Sequence, residues 1–200
     1  MRFKLFVLAN LTIGLFAAAF PAFSQVVPAY KARTLPLSVG IGPSSYDVDW
    51  GNGRMFGGTF WIDYYPGRLP RVLHGLGVEV EARDISLGRH LPSQQNVRQD
   101  TAEGGAIYTW RHFENFHPYA KFLYGHGSFD FTLPHSTMYA HDTRSLWAPG
   151  GGFEYRIYRQ VWARADYEYQ VWQDLFGFYN PHPQGFTAGV AYDFMHPVPR

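Results

Sequence analysis

Val161 to Trp172 alternate without interruption between two kinds of residue. Val161, Ala163, Ala165, Tyr167, Tyr169 and Val171 form an apolar or aromatic set, and Trp162, Arg164, Asp166, Glu168, Gln170 and Trp172 a mostly polar one. A period of two over that length is incompatible with a helix and defines a strand with two different faces. Leu76, Val78, Val80 and Ala82 alternate in the same way with Gly77, Glu79, Glu81 and Arg83. The stretch Gly185 to Phe194 repeats the pattern, with Thr187, Gly189, Ala191 and Asp193 on one side. Phe186, Ala188, Val190, Tyr192 and Phe194 lie on the other. Charges on one face and aromatics on the other fit a strand between lipid and a polar lumen.

Less regular strands fill the intervals. They are expected near 35–46, 55–65, 76–87, 101–111, 118–131, 146–157, 161–174 and 184–194. Their outward sides are read as Phe56, Phe60, Ile62 and Tyr64; Ala106, Tyr108 and Trp110; Ala120, Phe122 and Tyr124; and Trp147, Phe153 and Tyr155. Eight strands is the smallest number usual for a membrane barrel. The expected fold is therefore all-β, an eight-stranded antiparallel up-and-down transmembrane β-barrel. The fourth and sixth connections (112–117, 158–160) are short, the second (66–75) is longer but carries the Pro-Gly and Leu-Pro pairs of an ordered turn, and the others (47–54, 88–100, 132–145, 175–183) carry loop chemistry. Such alternation is expected when one barrel end faces the periplasm and the other the exterior.

Composition agrees. Aromatic residues make up 18% of the chain, which also carries 14 Tyr and 6 Trp, and membrane barrels concentrate aromatics in girdles at both interfaces. There is no cysteine, so no disulfide contributes to stability. Met1 to Lys4 is basic, Leu5 to Phe20 is apolar apart from Asn10 and Thr12, and Ala22-Phe23-Ser24 offers small residues for cleavage before Gln25. Residues 1–24 thus read as a secretory signal peptide. The expected organisation continues with a periplasmic lead-in at 25–34, the barrel at 35–194 and a short tail at 195–200. Loss of Arg2 and Lys4 takes the formal charge from +1 to −1, which leaves no footprint for nucleic acid.

A polar residue, a glycine, an aromatic and a final Phe (Thr187, Gly189, Tyr192, Phe194) resemble the terminal-strand signal by which outer-membrane barrels are recognised for assembly. With Ala148-Pro-Gly-Gly-Gly-Phe-Glu-Tyr-Arg156 and Arg164-Ala-Asp-Tyr-Glu-Tyr169, the chain from Leu35 to Phe194 resembles the small OmpA-like and opacity-protein-like barrels. The resemblance implies an outer-membrane location and contact with lipid and the barrel-assembly machinery. Members usually stop at the terminal Phe, whereas six residues follow Phe194 here. No cell-wall anchoring is implied.

Inward charges are expected at Asp63, Glu79, Glu81, Arg83, Arg111, Lys121, Glu154, Arg156, Arg164, Asp166, Glu168 and Asp193. Side chains fill the interior of so narrow a barrel, and opposite charges there pair. The nine histidines show no metal-ligand spacing, although His90, His135 and His141 fall in outer loops. Gly150 to Gly152 lack the Lys-Ser/Thr of a phosphate loop. His126, Ser128 and Asp130 lie in a row along one strand, a poor geometry for a hydrolytic triad. Tyr46, Asp47, Trp50, Asn52, Gln94, Gln95, Asn96, Tyr139, Phe178, Tyr179 and Asn180 are assigned to outer loops, where aromatics mixed with amides suit a partner or a glycan. The expected role is non-enzymatic, structural or in surface interaction, without cofactor or metal. The alternatives are a soluble lipocalin-like barrel, a narrow gated pore and a lipid-modifying enzyme.

Overall fold

Alternating side chains make strands here, and the strands close on themselves. The computed structural model describes residues 36–49, 53–66, 69–70, 73–87, 96–132 and 139–194. The expected signal peptide, lead-in and tail lie outside them. The strands are β1 (Leu37–Asp47), β2 (Arg54–Tyr64), β3 (Leu76–Ser86), β4 (Asn96–Thr109), β5 (Phe116–Thr132), β6 (Tyr139–Tyr158), β7 (Val161–Tyr169), β8 (Val171–Trp172) and β9 (Gln184–Asp193). Each pairs antiparallel with its sequence neighbour from β1 to β7, and β9 pairs with both β7 and β1. The result is an all-β, eight-stranded, up-and-down closed barrel.

β8 is the continuation of β7 across β6 rather than an additional stave. The break falls at Gln170, whose amide donates to the carbonyl of Pro183 (2.7 Å). Closure leaves no sheet edge within the hydrocarbon, which is the condition for spanning a membrane with strands.

The outer face is apolar in the way that the sequence pattern anticipates. Ile41, Phe56, Phe60, Tyr64, Val78, Val80, Phe122, Tyr124, Trp147, Phe153, Tyr155, Tyr167, Phe186, Val190 and Tyr192 all project outward and exposed. So large a band of outward aromatics is a lipid surface, not a soluble one. It also runs against a lipocalin-like arrangement, whose apolar face would line the interior.

Two strands are longer than the alternation suggested. β4 begins at Asn96 rather than Thr101, and β6 at Tyr139 rather than Leu146. Residues 96–100 and 139–145 are therefore strand, not loop. The reason is physical: β5 and β6 have 17 and 20 residues, whereas about 9–11 suffice to cross a bilayer. Where they rise above the lipid, the outward residues Arg98, Asp130, His141 and Thr143 meet water, and the apolar–polar contrast that marks a membrane strand disappears. β1 and β2 have only 11 residues each, so one side of the barrel carries a raised wall and the other does not.

Candidate functional site

Inside the barrel the side chains form three tiers. The middle tier is ionic. Lys121, on β5, lies between β3 and β7 carboxylates: its Nζ is 2.6 Å from Glu81, 2.6 Å from Asp166, 3.0 Å from Glu168 and 3.1 Å from Glu79. Arg164 reaches Glu79 at 2.6 Å and Asp63 and Asp166 at 3.3 Å, and donates through Nε to the Tyr119 hydroxyl (2.7 Å). Arg83 pairs with Glu81, with Glu168 (2.7 Å) and with Glu103 (3.7 Å), and its Nε donates to Thr59 (3.1 Å). Its guanidinium also lies 4.2 Å from the Tyr46 ring centroid. All these groups are buried.

Three cations thus face six carboxylates, and Lys121 is the hub that four of them share. Oxygens of Glu79, Glu81 and Asp166 lie within 4.8 Å of one another, as metal ligands would. The Lys121 ammonium already sits among them, so the cage is built around a side chain of the protein itself. Gln170 extends the tier by donating to Glu103 and Glu168 and accepting from Gln99 and Trp172.

The outer tier is apolar. Tyr46, Val48, Met55, Ile85, Val97, Leu123, Phe129, Leu146, Ala148, Trp172 and Leu175 pack into one buried cluster across the extracellular end, with Leu87, Phe131 and Phe176 against it. Gly127 makes room for it, since a Cβ there would stand 2.3 Å from the Trp172 ring. The loop after β8 closes over this plug: Leu175 enters it, the Phe176 amide donates to Asp142 (2.5 Å), and Asp174, Phe176 and Gly177 all adopt positive φ.

The periplasmic tier is mixed. Tyr65, Ile107 and Tyr119 cluster there, and His117 stacks on Trp162 at 4.4 Å. Arg111 and Arg156, grouped with the inward charges by sequence, stand apart from the ionic tier. Arg111 is exposed and stacks over Tyr65, and Arg156 is partly exposed over Trp162. Glu154 and Asp193 are buried. In the last strand Thr187 points inward, while Tyr192 and Phe194 point out.

The outer-loop assignments are corrected at four residues, since Tyr46 and Asp47 belong to β1, Asn96 to β4 and Tyr139 to β6. Tyr46 is on β1 and points into the lumen, where its hydroxyl donates to Glu168 (3.3 Å). Tyr139 and Asn96 lie in strands. Phe178 stands free at 84% exposure, and Asn180 holds the loop by accepting from the Asp174 amide (2.8 Å). Trp50, Asn52, Gln94, Gln95, His90 and His135 lie outside the described residues. Glu103, Gln99 and Gln170 were missed as a network. The sequence carries the signal, because outward Ala106, Tyr108 and Trp110 turn 99 and 103 inward by parity.

On the raised wall, above the lipid band, Asp130 accepts from Tyr139 (2.5 Å) and bonds His141 (2.6 Å). Partial burial opposes ionisation, but these hydrogen bonds and the nearby His141 and Arg98 hold the Asp130 carboxyl below the usual aspartate range. A lowered folded value means stability that is present above an unfolded aspartate's pKa of about 3.9 and lost as pH falls through the folded value. Asp130→Asn should therefore lower the urea midpoint of the liposome-inserted protein at pH 5–6, and the gap should close below about pH 4. An equal gap at both pH values would show that the carboxylate charge contributes nothing. His126 and Ser128 take no part in these bonds.

A closed eight-stranded barrel with an outward lipid band, an ionic lumen and tall strands at one end is matched by the family described as an outer membrane protein beta-barrel domain, over residues 11–194. The chain belongs to this outer-membrane barrel family. It resides in the outer membrane. No curated protein matches it in sequence. Among solved structures, Ail, the attachment invasion locus protein of Yersinia pestis, is similar at 17% identity with a TM-score of 0.57, over 78% of this chain and 96% of Ail. Neisserial surface protein A is similar at 16% identity and a TM-score of 0.58, over 78% of this chain and 95% of its own. A further structure of Ail, in complex with the heparin analogue sucrose octasulfate, aligns at 17% identity with a TM-score of 0.53, over 78% of this chain and 95% of that one. At such identity the likeness is one of fold.

Proposed function

We propose that this outer-membrane barrel is non-enzymatic and serves as a structural or surface-interaction protein through its outer rim. The observation that carries the reading is the filling of the lumen. The mid-barrel cations are held by carboxylates of the same chain, and an apolar cluster seals the extracellular end. An apolar plug of this kind opposes the narrow-pore reading, since an ion would have to cross apolar side chains without partners.

The rim offers more. Among the described residues, Ala140 to Arg144 of β6 are laddered to β5 on one side, and β8 takes up pairing on the other side at Leu146. An unpaired strand edge accepts an extended segment of another chain by strand addition. Phe178 stands exposed on the neighbouring loop. Aromatics and amides also suit a glycan, and Ail itself forms a complex with the heparin analogue sucrose octasulfate. Inside the cell envelope, the terminal strand with Thr187, Gly189, Tyr192 and Phe194 is the part that would engage the barrel-assembly machinery, and the outward band engages lipid.

The test has two arms. Purified protein in planar bilayers is expected to give no conductance above background; stable channels would return the function to the lumen. Cells displaying the protein should adhere to immobilised matrix proteins or sulfated glycans. A variant in which Asp130 and His141, directly opposite each other, are joined by a two-residue Asn-Gly turn should lose that adhesion. Adhesion no greater than that of cells lacking the protein would remove the surface-interaction role.

A further inference from the structure

The lipid-facing surface is not uniform. Where β2, β1, β9 and β7 run side by side, the large outward aromatics give way to aliphatic side chains, and a groove of about 380 Å³ results. Val39, Ile41, Phe60, Val161, Val190 and Tyr192 line it, and its surface is almost wholly apolar. That volume is at the low end for a ligand site, about 300–1,000 Å³, and suits a chain-like occupant rather than a folded one.

One end of the groove is polar. Val161 follows directly on the tight β6–β7 turn, and Tyr192 pairs with Val161 across the β7–β9 ladder. The Tyr192 hydroxyl donates to Gln160 in that turn (2.5 Å). Arg159, the other turn residue, has positive φ, and its guanidinium stacks over the Tyr158 ring at 5.2 Å. It meets no carboxylate among the described residues. This two-residue turn is at the barrel end opposite the tall hairpins, which places it at the periplasmic leaflet.

We propose that the groove is a phospholipid site, with an acyl chain lying along Ile41 and Val190 and an anionic headgroup phosphate on Arg159. The polarity is what selects this occupant. The apolar trough in the hydrocarbon layer is lined at one end by Val161, whose cross-strand partner Tyr158 carries the Arg159 guanidinium at headgroup level, and an anionic lipid satisfies both at once. A stacked arginine presents its donor edge to a phosphate while its face remains on the tyrosine. The site depends on bilayer placement alone and is independent of what the outer rim binds.

The experiment uses the full protein refolded in detergent and titrated with phosphatidylglycerol or phosphatidylcholine, with thermal stability read as the loss of compact gel mobility. The wild type should reach half-maximal stabilisation at about fivefold less phosphatidylglycerol than phosphatidylcholine. Arg159→Gln should abolish that preference and weaken the phosphatidylcholine response much less, because choline already offsets the charge of that lipid's phosphate. Val161→Trp, which fills the trough, should weaken the response to both lipids, and Ile41→Trp provides the same test from the opposite wall should the first variant not fold. Equal response to the two lipids in the wild type, or a preference that survives Arg159→Gln, would overturn the headgroup assignment. Unchanged lipid response in a folded groove-filling variant would overturn the groove. Cross-linking of two copies through position 41 without any lipid response would assign the groove to a second barrel instead.

Discussion

Lys121→Met will cost the barrel about 3–5 kcal/mol, measured as the urea unfolding free energy in liposomes, or will prevent insertion altogether. The side chain of methionine fits the space, so the loss isolates the charge. Removing it leaves Glu79, Glu81, Asp166 and Glu168 without their shared ammonium, 2.6–3.1 Å away in the native barrel. Breaking a buried pair from one side costs this much because the partner stays buried and uncompensated. Here four partners lose a cation at once, and each keeps a single arginine, Arg164 for Glu79 and Asp166 and Arg83 for Glu81 and Glu168, which are themselves shared with Asp63 and Glu103. Adding Glu81→Gln to Lys121→Met removes one orphaned charge and should recover part of the loss. A Lys121→Met protein as stable as the wild type would show that the ionic tier is held by its arginines alone.

Val80→Arg tests the other face of the same strand. Val80 is mid-strand on β3, 55% exposed, with Ile62 and Gly104 as its cross-strand partners. An arginine at the bilayer midplane of a barrel costs roughly 2–4 kcal/mol, falling to about 0–1 near the interfaces. The same substitution at Ser86, at the outer end of β3, should fall in the smaller range. Equal costs at the two positions would mean that the lipid band is not where the outward aromatics and aliphatics put it.

Much of this architecture was legible in one dimension because a membrane strand writes its environment into its parity. In β3 and β7, Glu79, Glu81, Arg83, Arg164, Asp166 and Glu168 could face the lumen only if Val78, Val80, Tyr167 and Tyr169 faced lipid. The extra strand length at 96–100 and 139–145 was not legible, since both faces there meet water or protein and no contrast remains. The apolar plug escaped for a related reason. Met55, Ile85, Val97, Phe129 and Leu146 have inward parity, but their apolar character blurs the contrast between the two faces, and only the cross-strand register gathers them into one plug. Parity also gathered Arg111 and Arg156 with the inner charges. Their positions at strand ends leave them at the mouth, where stacking on Tyr65 and Trp162 is available instead.

The plug has a consequence for how such a protein can change over time. It is a packed unit of its own, stacked above the ionic tier and joined to it mainly through Trp172, Gln170 and the Tyr46 hydroxyl. The loop after β8 that rests on it can be exchanged, lengthened or recoloured with charge without disturbing the carboxylates below, provided the volume that Leu175 and Phe176 fill stays filled. The exposed end is thereby insulated from the part that keeps the barrel folded. A lineage under pressure to alter what it shows to the outside could draw on that insulation while leaving the wall intact.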